Sequence, residues 1–216
     1  MRNRFDEQLA YLNREMIEMG ALCEEVIALA STALTSGDPG LCARVEPLHD
    51  EIDRLEREIE GLCLKLLLQQ QPVARDLRQI SAALKMITDM ERIGDQARDI
   101  AEIIPLLDGR AVDHCRYIGE MARAAIKMVT ESVDAYVKRD VELARRVKAY
   151  DDVVDDYFCK VKDSLIGQVA GNPTDGEYIL DLLMIAKYFE RIGDHAVNIA
   201  EWVVFSVTGA HKEEQT

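Results

Sequence analysis

Apolar residues recur at intervals of three and four along almost the whole chain, and the interruptions are short. The first unbroken stretch covers residues 4–35 and stops at Ser36-Gly37. Asp38-Pro39 reads as a helix start, a capping residue followed by proline at the first helical position. Residues 39–70 continue as a highly charged amphipathic helix, which Pro47 should kink or start afresh. Gln71-Pro72 marks a turn, and a third helix is predicted over 73–106. The pattern then resumes over about 111–138, 141–170 and 174–207, with Asp140 as a cap and Gly171-Asn172-Pro173 as the last turn. Such short connections predict antiparallel neighbours within the chain rather than a coiled coil. The polar end, His211–Thr216, reads as frayed.

The six predicted helices are two copies of three. Residues 91–102, ERIGDQARDIAE, and 190–201, ERIGDHAVNIAE, agree at nine of twelve positions. Upstream, Ala33, Asp38, Leu41, Arg44, Val45 and Asp53 match Ala135, Asp140, Leu143, Arg146, Val147 and Asp155 at an offset of 102. Pro72 matches Pro173 at an offset of 101. The expected architecture is all-α: two tandem homologous antiparallel three-helix bundles, residues 1–107 and 108–216.

Composition fits this reading and narrows the function. Aromatic residues, Gly and Pro are few, while Leu, Ala, Glu, Arg and Met dominate. Residues 1–108 carry 21 acidic against 12 basic side chains, and residues 109–216 carry 19 against 14. Neither half offers the basic face that nucleic acid requires; both suit cations or basic protein surfaces. Cys23, Cys42, Cys63, Cys115 and Cys159 are odd in number, lack a Cys-x-x-Cys pair and sit mostly among apolar residues, which predicts buried, reduced thiols of an intracellular protein. The N-terminus has no signal-type apolar segment and no run is long enough to span a bilayer, so membrane association is expected only through partners.

The repeated segment concentrates the chemistry. At 100° per residue Glu91, Asp95, Asp99 and Glu102 fall at 0°, 40°, 80° and 20°, one narrow acidic stripe. The second copy places Glu190, Asp194, Asn198 and Glu201 likewise. Reflecting each middle helix through its turn, near 71.5 and 172.5, brings His49 and Asp53 to the level of Glu91 and Asp95, and Asp151 and Asp155 to that of Glu190 and Asp194. Converging carboxylates are unfavourable unless protons or cations neutralise them. Hard oxygen donors suit Mg, Mn, Ca or iron, and an imidazole adds tolerance for zinc or iron. The alternative is a solvated acidic face laced with Arg92 and Arg98 in the first copy and Arg191 in the second. Position 98 favours metal, because its counterpart is Val197 while the acids are duplicated. Gly94 and Gly193, inside helices, imply a close approach of either a helix or a ligand.

Other candidates carry less. Glu46-Pro-Leu-His49 has the Glu-x-x-His spacing of di-iron bundles, which need two such motifs. His195 reads as a surface histidine, and His114 and His211 have no constellation. Met16, Met19, Met86, Met90 and Met184 follow the apolar periodicity and are expected in the core. No phosphate loop, Ser/His/Asp set or activated cysteine is present.

The paired Glu-Arg-Ile-Gly-Asp motifs, the turn segment Gln71-Pro-Val-Ala-Arg-Asp-Leu-Arg78 and the duplicated layout closely resemble the PhoU family of phosphate-uptake regulators. The turn segment is kept only in the first copy. The resemblance implies a cytoplasmic negative regulator, not an enzyme. It implies a link between the ATPase of a phosphate ABC transporter and a membrane sensor histidine kinase, which keeps the kinase output off when phosphate is plentiful. It further implies a homodimer and a divalent or multinuclear metal, iron or zinc or Mg/Mn. The implied ligands are Glu91 and Asp95, and Glu190 and Asp194 with the facing Asp151 and Asp155. His49 stands where an acid is usual before Asp53. Asp99, Glu102, Asn198 and Glu201 are possible further ligands or supports. The competing expectation is a carboxylate-bridged metalloenzyme or metal-storage bundle.

Overall fold

The computed structural model describes residues 2–70, 72–107, 116–171 and 175–210. The expectations for the 111–115 helix start, the 172–174 turn, the 211–216 tail, Gln71, His114 and Cys115 lie outside the described residues. Among the described residues seven α-helices follow in order: α1 (Arg2–Ser36), α2 (Pro39–Cys42), α3 (Val45–Gln70), α4 (Ala74–Ile103), α5 (Arg116–Lys138), α6 (Val141–Gly171) and α7 (Gly176–Thr208). Among the described residues there is no strand, and no helix is long and apolar enough to cross a membrane.

Local chemistry explains the boundaries. Asp38 caps α2 by accepting from the Gly40 N–H at 2.8 Å, with Pro39 at the first helical position. The helix predicted over 39–70 breaks at Ala43-Arg44 and starts afresh at Val45. That puts Pro47 in the first turn of α3, where a missing N–H breaks no helical bond. Pro105 lies in a 3-10 turn, Ile104–Leu107, that closes α4. Asp140 caps α6 through the Leu143 N–H at 2.9 Å. At the ends of α1 and α5 the backbone turns left-handed, on Gly37 with φ 66° and on Arg139 with φ 55°.

The two bundles share one core. Helices α1, α3 and α4 pack together, as do α5, α6 and α7, but the most extensive contact joins α4 to α7 across the repeats. Helix α1 also packs on α5, so α1, α4, α7 and α5 form a closed inner ring, with α3 and α6 on its outside. Met16, Ile27, Met86, Ile93, Phe189 and Ile192 are all fully buried within one continuous apolar cluster. Met184 is the exception to the methionine expectation: it is 44% exposed, on the outer side of α7.

Helices α4 and α7 run antiparallel. Asp89 of α4 accepts from Asn198 of α7 at 3.0 Å, while the charge of Asp99 of α4 bears on Tyr188 of α7. The repeat offset of 99 exchanges these two pairs. An approximate twofold axis therefore passes through the α4–α7 contact and relates the repeats.

Candidate functional site

Each repeat builds its acidic patch between its outer helix and the neighbouring inner one, α3 with α4 and α6 with α7. The glycines fix how close they come. A Cβ on Gly94 would stand 3.4 Å from Cδ2 of His49 and 3.2 Å from Cδ1 of Ile52. A Cβ on Gly193 would stand 3.3 Å from Oδ1 of Asp151. The bare backbone thus lets position 49 or 151 lie against the inner helix, at the level that reflection through the turns predicts.

In the first patch a histidine and two arginines of the chain itself occupy the centre. His49 is buried, with Nε2 3.0 Å from Oδ1 of Asp95 and 3.7 Å from Oδ1 of Asp53. Arg92 donates to Oδ2 of Asp95 at 2.9 Å and Arg98 to Oδ1 at 3.1 Å. The Arg98 guanidinium also stands 3.4 Å from Nδ1 of His49, which suits an imidazole that accepts at Nδ1 and donates from Nε2. One acceptor is left over, since Oδ1 of Asp53 is buried without a hydrogen-bond partner. Burial, then Asp95, pushes the Glu91 carboxyl up, with Arg92 opposing. Burial, then Glu60 and Asp53, does the same for Glu56. Glu56 belongs to this patch by position, one turn beyond Asp53 on the same face of α3, and that spacing was available in the sequence.

The second patch has far less compensation. Asp151 replaces His49, and Val197 replaces Arg98. Lys187 pairs with Glu190 at 2.5 Å. Among the described residues Asp151, Asp155 and Asp194 have no ion pair or side-chain hydrogen bond. Burial, then Asp155, Asp194 and Glu190, raises the Asp151 carboxyl to about 6. Asp155 is raised by burial and then Glu190. Asp194 is likewise raised by burial and then Glu190, with Lys187 opposing. Glu190 acts on all three and Asp155 on the other two, as expected of carboxylates sharing a confined space.

The remaining stripe residues are not gathered into the patches. Asp99 lies on the α7 side of α4, where the charges of Arg98 and Arg191 act on it. Glu102 is exposed, 4.0 Å from Arg98. Asn198 binds Asp89 across the repeat interface, and Glu201 pairs with Lys148 of α6 at 3.1 Å. Arg191 serves Asp99 rather than the second patch. His195 is no surface residue: Nδ1 lies 2.9 Å from Oδ1 of Asp89, and both side chains are mostly buried. Glu46, first residue of the Glu-x-x-His spacing, is exposed while His49 is committed to Asp95. Cys23 and Cys63 are buried, and burial pushes the Cys63 thiol up to about 12; Cys159 is exposed and Cys42 half-buried.

The second patch fits a hard cation by its donor set: four carboxylates from two helices, three of them holding protons above their ordinary range, and one lysine. The first fits less well, because Arg92 and Arg98 already neutralise Asp95 and His49 stands against it. Among the described residues no three His, Cys, Asp or Glu side chains are already arranged around a common metal position. A cation in the second patch therefore requires these side chains to rotate inward.

Comparison with known proteins gives a consistent picture. The PhoU domain matches residues 16–104 and 118–203. The phosphate-specific transport system accessory protein PhoU homolog of Clostridium acetobutylicum is 34% identical over 96% of this chain and 96% of its own length. The protein of that name from Zymomonas mobilis is 37% identical over 98% of this chain and 90% of its own. The crystal structure of PhoU from Pseudomonas aeruginosa superposes with a TM-score of 0.88 at 34% identity, covering 95% of this chain and all of that one. The phosphate transport system regulatory protein PhoU from Streptococcus pneumoniae has a TM-score of 0.86 at 24% identity, over 97% of this chain and 99% of that chain, a likeness of fold.

Proposed function

The chain belongs to the PhoU family, and on that footing we propose that it is a non-enzymatic accessory regulator of phosphate transport whose second acidic patch binds a metal ion. In this reading it is cytoplasmic and reaches the membrane through its partners, the ATPase of a phosphate ABC transporter and a sensor histidine kinase. Support for the accessory role comes from relatives that match it along nearly their whole length and carry that role in their names.

One observation carries the metal assignment: Asp151, Asp155, Glu190 and Asp194 crowd one another between α6 and α7, and among the described residues Lys187 is the one cation that makes an ion pair with them. These four side chains would hold a hard divalent cation such as Mg²⁺, Mn²⁺ or iron. Bound there, the ion supplies positive charge that ties the outer helix α6 to the inner helix α7. The first patch is the weaker site, with Glu91, Asp95 and Asp53 as its oxygen donors and His49 as its nitrogen donor.

The test is metal analysis of the purified protein beside Glu190→Ala/Asp194→Ala and Glu91→Ala/Asp95→Ala variants, with phosphate-responsive reporter output measured in cells. The expected result is loss of metal chiefly in the first variant, with derepressed output. Unchanged metal content together with intact regulation in both variants would overturn the site. Co-purification with the transporter ATPase or the kinase tests the adaptor role; turnover of a substrate with neither partner bound would sink it.

A further inference from the structure

One end of the molecule carries a charge cluster opposite in sign to the patches. It forms where the start of α4 meets the α5–α6 corner and the end of α7. Arg75 and Arg78 lie in the first two turns of α4, where the helix dipole favours anions rather than cations. Arg139, at the α5–α6 corner, donates from Nη1 to Oε1 of Gln79 at 3.1 Å. Gln79 in turn donates to Oδ1 of Asn13 of α1 at 3.2 Å. Arg75 and Gln79 are four residues apart and share a helix face, which brings Arg139 beside Arg75. The charges of Arg75 and Arg78 both act on Arg139, with Asp76 opposing them. Arg78 packs over Gly209 at the end of α7, its guanidinium Nη1 3.7 Å from where a Cβ would stand.

Among the described residues the chain gives these arginines no carboxylate partner: none of the three makes an ion pair, although the protein carries a net charge of -14. Nε of Arg78 is buried without a hydrogen-bond partner. Tyr136, a residue only 2% exposed, lies under the cluster with its hydroxyl beside Gln79 and Arg139. Val73 provides no side-chain cap, so the first-turn N–H groups of α4 also lack a side-chain acceptor there.

The duplication isolates the feature. Arg139 corresponds to Gly37 in the first repeat, and both have positive φ. Glycine adopts that conformation freely and arginine does so under strain. At the offset that pairs Pro72 with Pro173, Arg75 and Arg78 correspond to Gly176 and Ile179. One pole of a nearly twofold molecule thus holds three arginines, and the other holds none of them.

We propose that Arg75, Arg78 and Arg139 form a binding site for a phosphate-type tetrahedral oxyanion, seated over the uncapped first turn of α4. Guanidinium forks match such oxygens in pairs, and helix N–H groups complete the shell. The phosphoryl group comes either from free inorganic phosphate or from a lipid headgroup, and the experiment separates the two.

The full-length protein is titrated calorimetrically with inorganic phosphate at constant ionic strength held by sodium chloride. In parallel it is sedimented with phosphatidylcholine vesicles with and without phosphatidic acid. The variants are Arg75→Gln, on an exposed side chain, and Arg139→Gly, which installs the residue of the first repeat. Binding in the phosphate arm identifies the free ion, and binding only to phosphatidic acid vesicles identifies the headgroup. In either case each variant binds at least tenfold more weakly, and Arg139→Gly melts at the same or a higher temperature than the parent. Absence of binding in both arms, or binding that both variants retain, overturns the proposal.

Discussion

Replacing Asp151 by asparagine should stabilise the metal-free protein while weakening its response to metal. The carboxyl is raised from 3.8 to about 6 by burial and by four neighbouring acids. A difference of about two pH units is at most about 3 kcal/mol of unfavourable interaction when the group is ionised. Asp151 is only half-buried, so solvent screening reduces this to about 1 kcal/mol. The sign follows from proton linkage. The folded state holds this proton more tightly than the unfolded state, so the metal-free protein is favoured below about pH 4 and loses that advantage as pH rises to about 6. Asp155 and Asp194 are raised too and act in the same direction. Urea denaturation of chelator-treated protein at pH 5 and pH 7.5 measures this directly. Parent protein should be less stable at the higher pH. Asp151→Asn should narrow the gap, gain about 1 kcal/mol at pH 7.5 and lose most of the stabilisation by added Mn²⁺. An asparagine variant that is less stable than the parent without metal, yet keeps the full metal response, refutes the picture of crowded, uncompensated carboxylates.

Three further substitutions probe the same architecture. His49→Asp makes the first patch resemble the second. Loss of the buried imidazole between Asp53 and Asp95 should cost about 2–4 kcal/mol in the metal-free protein, partly restored by Mn²⁺ in thermal melts. Gly193→Ala gains about 1 kcal/mol of helix propensity, but its methyl meets Oδ1 of Asp151 at 3.3 Å. Stability should change by less than about 1 kcal/mol while metal affinity, read by chelator competition, falls about tenfold. Phe189→Ala, at a fully buried site on α7, should cost about 3–5 kcal/mol in denaturation and leave a single transition reported alike by probes in both repeats.

Much of this was legible in the residues, for reasons that also mark the limit. The turn at Gln71-Pro72 and the equal rise of antiparallel helices place His49 beside Gly94 and Asp95, and the structure puts Nε2 3.0 Å from Asp95. Sidedness was not legible. Periodicity makes Asp99 and Asn198 members of one stripe, but α4 and α7 each touch three other helices, so a stripe is divided among neighbours. Asp99 and Asn198 turn towards the opposite repeat, and the partner of His195 is Asp89, 106 residues away. Glu56 and Lys187 were within reach, one helical turn from Asp53 and Glu190, but each lacks a like-charged counterpart in the other copy and so escaped a search for repetition. Arg92 and Arg191 show the converse: identical motif residues serve different acids, Asp95 in the first copy and Asp99 across the repeats in the second. The break at Ala43-Arg44 is two residues earlier than Pro47 suggested, since proline is at ease inside a first turn.

The shared inner ring has a consequence for how the protein is made. The α4 surface that α7 covers emerges from the ribosome 99 residues before its partner, the spacing of the two Glu-Arg-Ile-Gly-Asp motifs. At about 5–20 residues per second, that surface waits roughly 5–20 s for its cover. Throughout that interval the nascent first repeat shows an apolar flank whose proper partner does not yet exist, while a neighbouring nascent chain on the same message offers an identical one. Synthesis therefore selects for a slow or chaperoned first half, and for an α4 surface that prefers α7 over another α4.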